Sequence, residues 1–368
     1  MSSCGCEDMV VRMVKGIYVT SPDVYAGKTI VALGLSLCLL DEGFRVGYMK
    51  PIGWAGTSVE GRPMDEDVIL MKSVLNLPHS YDVLCPIIVD MHFVEKLIKI
   101  RDRGMDVIAK SYEEVKKGFD VVVIGGLRDT KMGLSAGLSA PEISARLGAS
   151  ILLVVKASSD EFVDKVLAEK RLIEMFNAKL QGVILNFTPY YLQQHVKEDM
   201  VPLLEERGVK VYGVIPETPG LLNPNVREIA EALKGEILAA TDKVDATYDT
   251  ILVGAMGCES ALTYARRSAN KLVILGGDRS DLILSVLETP TVAMVLTGGI
   301  YPSSKVMAKA EEKGVPLILV NYDTYTTVQM IHRISGRIKP QDSKRIGMVK
   351  KLFPQYVDWR SIMSDAEG

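Results

Sequence analysis

Gly27, Lys28 and Thr29 stand where an apolar, β-branched run (VKGIYVT, 14–20) gives way to an apolar helical pattern that begins at Thr29 and stops at Gly43. A strand, a glycine-containing turn and Lys-Thr at a helix start aim main-chain N–H groups and the positive end of a helix at one point, which is the chemistry of phosphate binding. In that geometry Gly27 lets the main chain approach the anion, the Lys28 ammonium bridges the outer phosphates of a nucleotide such as ATP, and the Thr29 hydroxyl can ligate Mg²⁺. The usual spacing has a further glycine five residues before Gly27, where this chain has Pro22, preceded by Ser21.

Other candidates end later apolar runs. Lys50 follows RVGYM, and Pro51 holds it extended, so that its ammonium can reach a terminal phosphate or a substrate anion. Asp65, Glu66 and Asp67 open a periodic stretch, where capping and the helix dipole are sufficient reasons for three acids. In the second half, Asp278-Arg279 and Thr297-Gly298-Gly299 belong to two glycine-rich turns at successive strand ends. An Arg fork beside a loop that opens a helix at Ser303 or Ser304 makes a small-anion pocket; Asp278 and Arg279 pairing with each other or across a subunit contact is the structural alternative.

These residues need a frame. Short apolar runs (14–20, 45–50, 120–126, 151–157, 180–187, 211–216) alternate with amphipathic stretches, which predicts an α/β fold with a doubly wound parallel sheet covered on both faces. Ligands sit at the carboxyl ends of such strands. A second, smaller α/β pattern occupies 250–256, 271–277, 291–299 and 316–321. The stretch 223–249 reads as a closing helix and a polar connection, so the expected domains are 1–240 and 241–368, the latter ending in a solvated basic tail, Arg337 to Lys351.

Composition narrows the functions. The chain has 368 residues, 48% of them hydrophobic, and a net charge of −3, enough for two cores and without the positive field that recruits nucleic acid or anionic membranes. Its opening lacks a charged head followed by an apolar core, and the most apolar helix candidate, Ile30 to Leu40, is short of the ~20 residues that span a bilayer; the expected location is cytoplasmic. Five scattered cysteines (Cys4, Cys6, Cys38, Cys85, Cys258) and four histidines share no ligand spacing.

The loop VTSPDVYAGKT resembles the phosphate loop of the dethiobiotin synthetase family, in which Gly-Thr-Asp-Thr-Glu-Val precedes Gly-Lys-Thr with one extra residue. On that template Ser21 replaces the first glycine, Asp23 keeps the acid, and Tyr25 stands at the glutamate. YMKPIG is similar to the family's Lys-Pro segment. The resemblance implies Mg²⁺ ligation by Asp67 and adenine recognition by Asn186, with Pro216 lining the base pocket. An amide suits that task, offering a donor and an acceptor to N6 and N7; Asn186 as a turn residue is the alternative. One departure stands out. Where the family has Val-Glu-Gly with the glutamate near the metal, this chain has Gly125, which weakens the case for phosphoryl transfer; Asp129 can substitute from the loop.

The second half resembles the domain named for its Asp-Arg-Thr-Gly-Gly signature, with Ser280 at the usual threonine. The two domains in series resemble the N-terminal region of large phosphotransacetylases, and the expectation is a free-standing form of that region without the acetyl-transferring domain. The resemblance implies an ATP- and Mg²⁺-binding regulatory or metabolite-sensing protein, with dimers as the family's habit and a small anionic metabolite as a second ligand. Two other readings stand beside it. One is an ATP-dependent ligase of the dethiobiotin synthetase or cobyrinate diamide synthase type, with Lys28 and Lys50 stabilising a phosphorylated intermediate. The other is a scaffold with a vestigial site.

Overall fold

The computed structural model describes residues 14–254, 258–333 and 338–366; Cys4, Cys6 and Arg337 lie outside them. The chain forms two compact units, one of residues 1–217 with 339–368 and the other of 218–338.

In the first unit, six strands make one parallel sheet: β1 (Lys15–Thr20), β2 (Val46–Met49), β3 (Val121–Gly125), β4 (Ser150–Lys156), β5 (Lys179–Thr188) and β6 (Val211–Pro216). Their order is β6-β5-β4-β1-β3-β2. Val121 to Ile124 and Ile151 to Val155 are all buried, as continuous apolar runs in a sheet covered on both faces must be. From β1 the chain goes to one edge through β2 and then to the other through β4, so the carboxyl end of β1 is the switch point where such sheets bind ligands. α1 (Lys28–Asp41) starts there, and Val31 to Leu39 are buried along its length. α2 (Glu66–Val74) is capped by Asp65, whose side chain accepts from the Asp67 N–H.

The second unit has strands β7 (Glu236–Ala239), β8 (Thr250–Val253), β9 (Lys271–Gly276), β10 (Thr291–Thr297) and β11 (Leu317–Leu319), in the order β7-β11-β10-β9-β8. Only β7 runs antiparallel to its neighbour. Alternation along β9 sends Val273 and Leu275 to one core with Leu282 and Val306, and Leu272 and Ile274 to another with Val226, Ile229 and Tyr248.

The expected boundary near residue 240 moves for a physical reason. The helix Val226–Leu233 carries its buried stripe, Val226, Ile229, Ala230 and Leu233, in the core of the second unit. β7 then pairs with β11. Both belong to the second unit, which starts at Thr218.

The basic tail is corrected as well. Ser343–Tyr356 and Trp359–Asp365 are helices of the first unit. Val349, Phe353, Val357, Trp359 and Ile362 are buried, which a solvated tail would not allow. Phe353 lies on Gly34 of α1, where any Cβ would overlap the ring. Val357 pairs with Gly213, and the Asp358 N–H donates to the Tyr212 carbonyl at 2.8 Å, so this segment covers the edge strand β6. Arg345 is buried against Asp342, and Lys350 reaches Asp41 at 2.8 Å.

Candidate functional site

The turn from β1 to α1 is shaped by its own side chains. Ser21 is buried; its Oγ donates to the Asp23 carbonyl at 2.8 Å and accepts from the Asp23 N–H at 3.1 Å. Tyr25 and Gly27 both take left-handed conformations, with φ of 59° and 89°. For Gly27 this is easy; for Tyr25 it is strain held by the surroundings. Among the described residues, nothing accepts a hydrogen bond from the main-chain N–H groups of Tyr25 to Thr29. A row of such donors at a helix start is a cradle for an anion.

Asn186 stands elsewhere than expected. Its side chain is fully buried beneath the turn, and Nδ2 donates to the Ala26 carbonyl at 2.8 Å. It therefore supports the loop rather than facing an open base pocket. The next residue, Phe187, has a φ of 53°, a costly conformation for a bulky side chain, and its ring packs under Gly27. A Cβ on Gly27 would overlap the Asn186 amide and stand 2.8 Å from the Phe187 ring. Gly27→Ala is thus expected to lower stability by about 1–3 kcal/mol, read as a fall in thermal midpoint. Asn186→Ala should recover part of that loss in the double variant, because the two effects share one contact. Simple additivity would show that the contact is not the cause.

Lys28 points inward, its Nζ donating to the Arg128 carbonyl at 2.7 Å. Burial, then the nearby Lys50 charge, push its pKa down to about 8. Thr29 Oγ1 donates to Asp67 Oδ1 at 2.8 Å. Lys50 is buried between two acids, 3.0 Å from Asp65 Oδ1 and 2.5 Å from Asp67 Oδ2. Burial alone would lower the Lys50 pKa, but the Asp65 and Asp67 carboxylates hold it well above the ordinary lysine value. Burial would likewise raise Asp67, yet Lys50 and its hydrogen bond hold that carboxyl below its usual range. The expected role of Lys50 as a free phosphate-contacting ammonium therefore gives way to that of a bolt between two carboxylates.

The strand end that lacks the family's glutamate is occupied. Tyr48 is buried, and a Cβ on Gly125 would run into its hydroxyl. Nor is Asp129 a ready substitute, since its Oδ1 accepts from the Lys131 and Met132 N–H groups, each at 2.9 Å. Asp23 pairs with Lys165 at 3.1 Å on the outer side of the loop. Pro216 ends β6 beside Thr188, whose carbonyl accepts from the Glu217 N–H at 3.0 Å. A cavity of about 790 Å³ lies at the opposite, amino end of the sheet, lined by Lys15, Asp120, Ser150 and Lys179 among others. None of the residues singled out from the sequence lines it.

In the second unit the two glycine-rich turns do come together, with the Gly277 N–H donating to the Thr297 carbonyl at 3.2 Å. The N–H groups of Gly298 and Gly299 donate to Tyr322 and Val320 carbonyls, each at 2.9 Å, and that of Arg279 to Gly276 at 3.1 Å. Thr297 Oγ1 lies 2.9 Å from Thr324 Oγ1, and Asp278 is exposed. The donors of Gly277, Gly298 and Gly299 tie strand ends to one another, and that of Arg279 closes its own turn.

The profile of the family described as AAA domain matches residues 15–225, more than half of the chain. The chain belongs to that family. A DRTGG domain profile matches residues 228–334. The AAA domain and its neighbour together are 25% identical to the phosphate acetyltransferase of Nitratidesulfovibrio vulgaris, covering 94% of this chain and 51% of that protein. The phosphate acetyltransferase of Pseudomonas putida is 24% identical, with coverage of 93% and 50%. The chain thus spans about half the length of the curated relatives it matches. Among solved structures, cobyrinic acid a,c-diamide synthase from Mycobacterium smegmatis, with bound ADP and magnesium, is similar at 14% identity and a TM-score of 0.39, covering 56% of this chain and 88% of that one.

The AAA domain's residues suit a magnesium ion bound with a nucleotide. Thr29 and Asp67 present hard oxygens next to each other, and Mg²⁺ takes few protein ligands, drawing the rest from phosphate and water. Three residues of this site carried no signal in isolation: Arg128, Trp54 and Tyr48. Each is an ordinary residue of a strand or loop until the fold brings it to Lys28, Asp65 or Gly125.

Proposed function

We propose that the AAA domain binds Mg-ATP and uses it for regulation or sensing rather than turnover, in a protein related to the N-terminal half of phosphate acetyltransferases. The observation that carries this is the row of N–H groups from Tyr25 to Thr29 that have no acceptor among the described residues, together with the Lys28 ammonium and the Thr29–Asp67 pair. Bound nucleotide would bring the phosphate charge that these donors lack, and Mg²⁺ would sit by Thr29 and Asp67 and screen it.

Slow or absent turnover has its own support. The place of a metal-side carboxylate at Gly125 is taken by the Tyr48 phenol, which burial holds protonated. Lys50, which a ligase would need to stabilise a phosphorylated intermediate, is held by two acids. Without a carboxylate at Gly125 and with Lys50 engaged, charge developing in phosphoryl transfer is less well balanced.

Calorimetry with Mg-ATP tests the reading. Binding should fall roughly 100-fold in Lys28→Ala, the loss expected for a charge-assisted phosphate contact. ADP release should stay at background when amines, carboxylates and bicarbonate are supplied. Substrate-stimulated ADP release would establish a ligase instead, and a chain that binds no nucleotide would be left as a scaffold.

A further inference from the structure

Arg128 follows β3 and touches the site twice. Its carbonyl accepts from Lys28 Nζ at 2.7 Å, and its guanidinium lies over the Trp54 ring, 4.5 Å from the centroid. The Trp54 N–H donates to Asp65 Oδ2 at 2.7 Å. From Asp65 the contacts run to Lys50, to Asp67 and to Thr29. Thr29 follows Lys28 in the chain, so seven residues close a ring around the head of the phosphate loop.

Charge is unevenly matched around that ring. Lys50 meets two carboxylates, whereas among the described residues no carboxylate pairs with the Arg128 guanidinium. It is partly buried and close enough to Lys28 for the two cations to repel. Asp67 and Asp129 act on Lys28 with the opposite sign, but a guanidinium with no carboxylate paired to it, set beside another cation, is an arrangement that an anion relieves. Stacking on an indole fixes the guanidinium plane and leaves its N–H edges available for phosphate oxygens.

We infer that Arg128 is a binding residue for the terminal phosphoryl group of a nucleoside triphosphate, held by Trp54, so that the site distinguishes triphosphate from diphosphate. The inference rests on the nucleotide reading above. It deepens that reading by naming what is sensed: the third phosphate. Lys28 leaves the Arg128 carbonyl to meet a phosphate, so the Trp54–Arg128 stack reports the event.

Calorimetry on the full chain with Mg²⁺ and the β,γ-imido analogue of ATP, set against Mg-ADP, is the test. In Arg128→Ala the triphosphate should bind roughly 10- to 100-fold more weakly while diphosphate affinity changes less than about threefold. Arg128→Lys, which keeps the charge but not the fork, should fall between. Thermal midpoints without nucleotide should match the parent for both variants. With Trp359→Phe as background, Trp54 is the remaining tryptophan of the two, and its emission should change with the triphosphate but not with ADP. Equal weakening of both nucleotides, or no weakening in either variant, overturns the role of Arg128 and leaves nucleotide binding intact. A parent chain that binds neither nucleotide overturns both readings.

Discussion

Lys50→Met is expected to lower the stability of the chain by about 3–5 kcal/mol near neutral pH, the usual result of removing one partner from a buried ion pair. Asp65 and Asp67 would remain next to the site with no cation between them. The effect has a defined pH dependence. In the parent, Asp67 has a folded pKa below its unfolded value, so its contribution is present above about pH 4 and is lost as acid titrates through the lower folded value. Lys50, raised well above its ordinary value, contributes at every pH below about 10.4 and is lost only as the pH rises through its folded pKa. In the variant, Asp67 loses the charge and hydrogen bond of Lys50 and keeps only the weaker support of Thr29 and Lys28 against burial, so its folded pKa rises and protonation costs the fold less. The gap between parent and variant should therefore be widest near pH 7 and close toward pH 4. Urea unfolding across that range measures it; a gap that stays constant or widens in acid would show that the carboxylates are not the origin.

Phe353→Ala should be of similar size, about 3–5 kcal/mol for a buried aromatic side chain. The ring is 2% exposed and lies against Gly34, in the middle of the helix that begins at the phosphate loop. Removing it leaves a cavity between α1 and the C-terminal helices, so the thermal midpoint of the first unit should fall. The reciprocal change gives a control. Gly34→Ala alone should destabilise because its Cβ meets the ring. In the Phe353→Ala background the same substitution fills space and gains the helix propensity of alanine over glycine, about 1 kcal/mol, so its sign should reverse. An unchanged sign would mean that the ring does not press on Gly34 in solution.

The main strands and the phosphate loop were legible because their signals are local. β-branched runs such as Val121 to Ile124 are strands wherever both faces are covered, and Gly-Lys-Thr at the head of an apolar helix has one common use. The boundary between the units was not legible from local pattern. The helix Val226–Leu233 reads as a closing element, but its apolar stripe fits either core equally well until the partner strands are known. The tail misled for a similar reason. Lys344, Arg345, Lys350 and Lys351 dominate its composition, while the spacing of Val349, Phe353 and Val357 becomes informative only once Gly34 offers a groove.

Asn186 shows the same limit at the site. An amide at a strand end suits a base edge and a loop carbonyl alike, and the choice between them depends on where residues 26 and 27, about 160 positions away, pass overhead.

The sequence by itself determined the fold class, the position of the phosphate-loop turn and the order of the two domains, since each follows from hydrophobic period and from a few residues adjacent in the chain. Only the tertiary structure decided the partners. Which cation meets which carboxylate at Lys50, what fills the space beside Gly125, and which side chain stacks on Trp54 depend on strands far apart in sequence meeting at one end of a sheet. Charge and shape act over a few ångströms in space, whatever the distance along the chain.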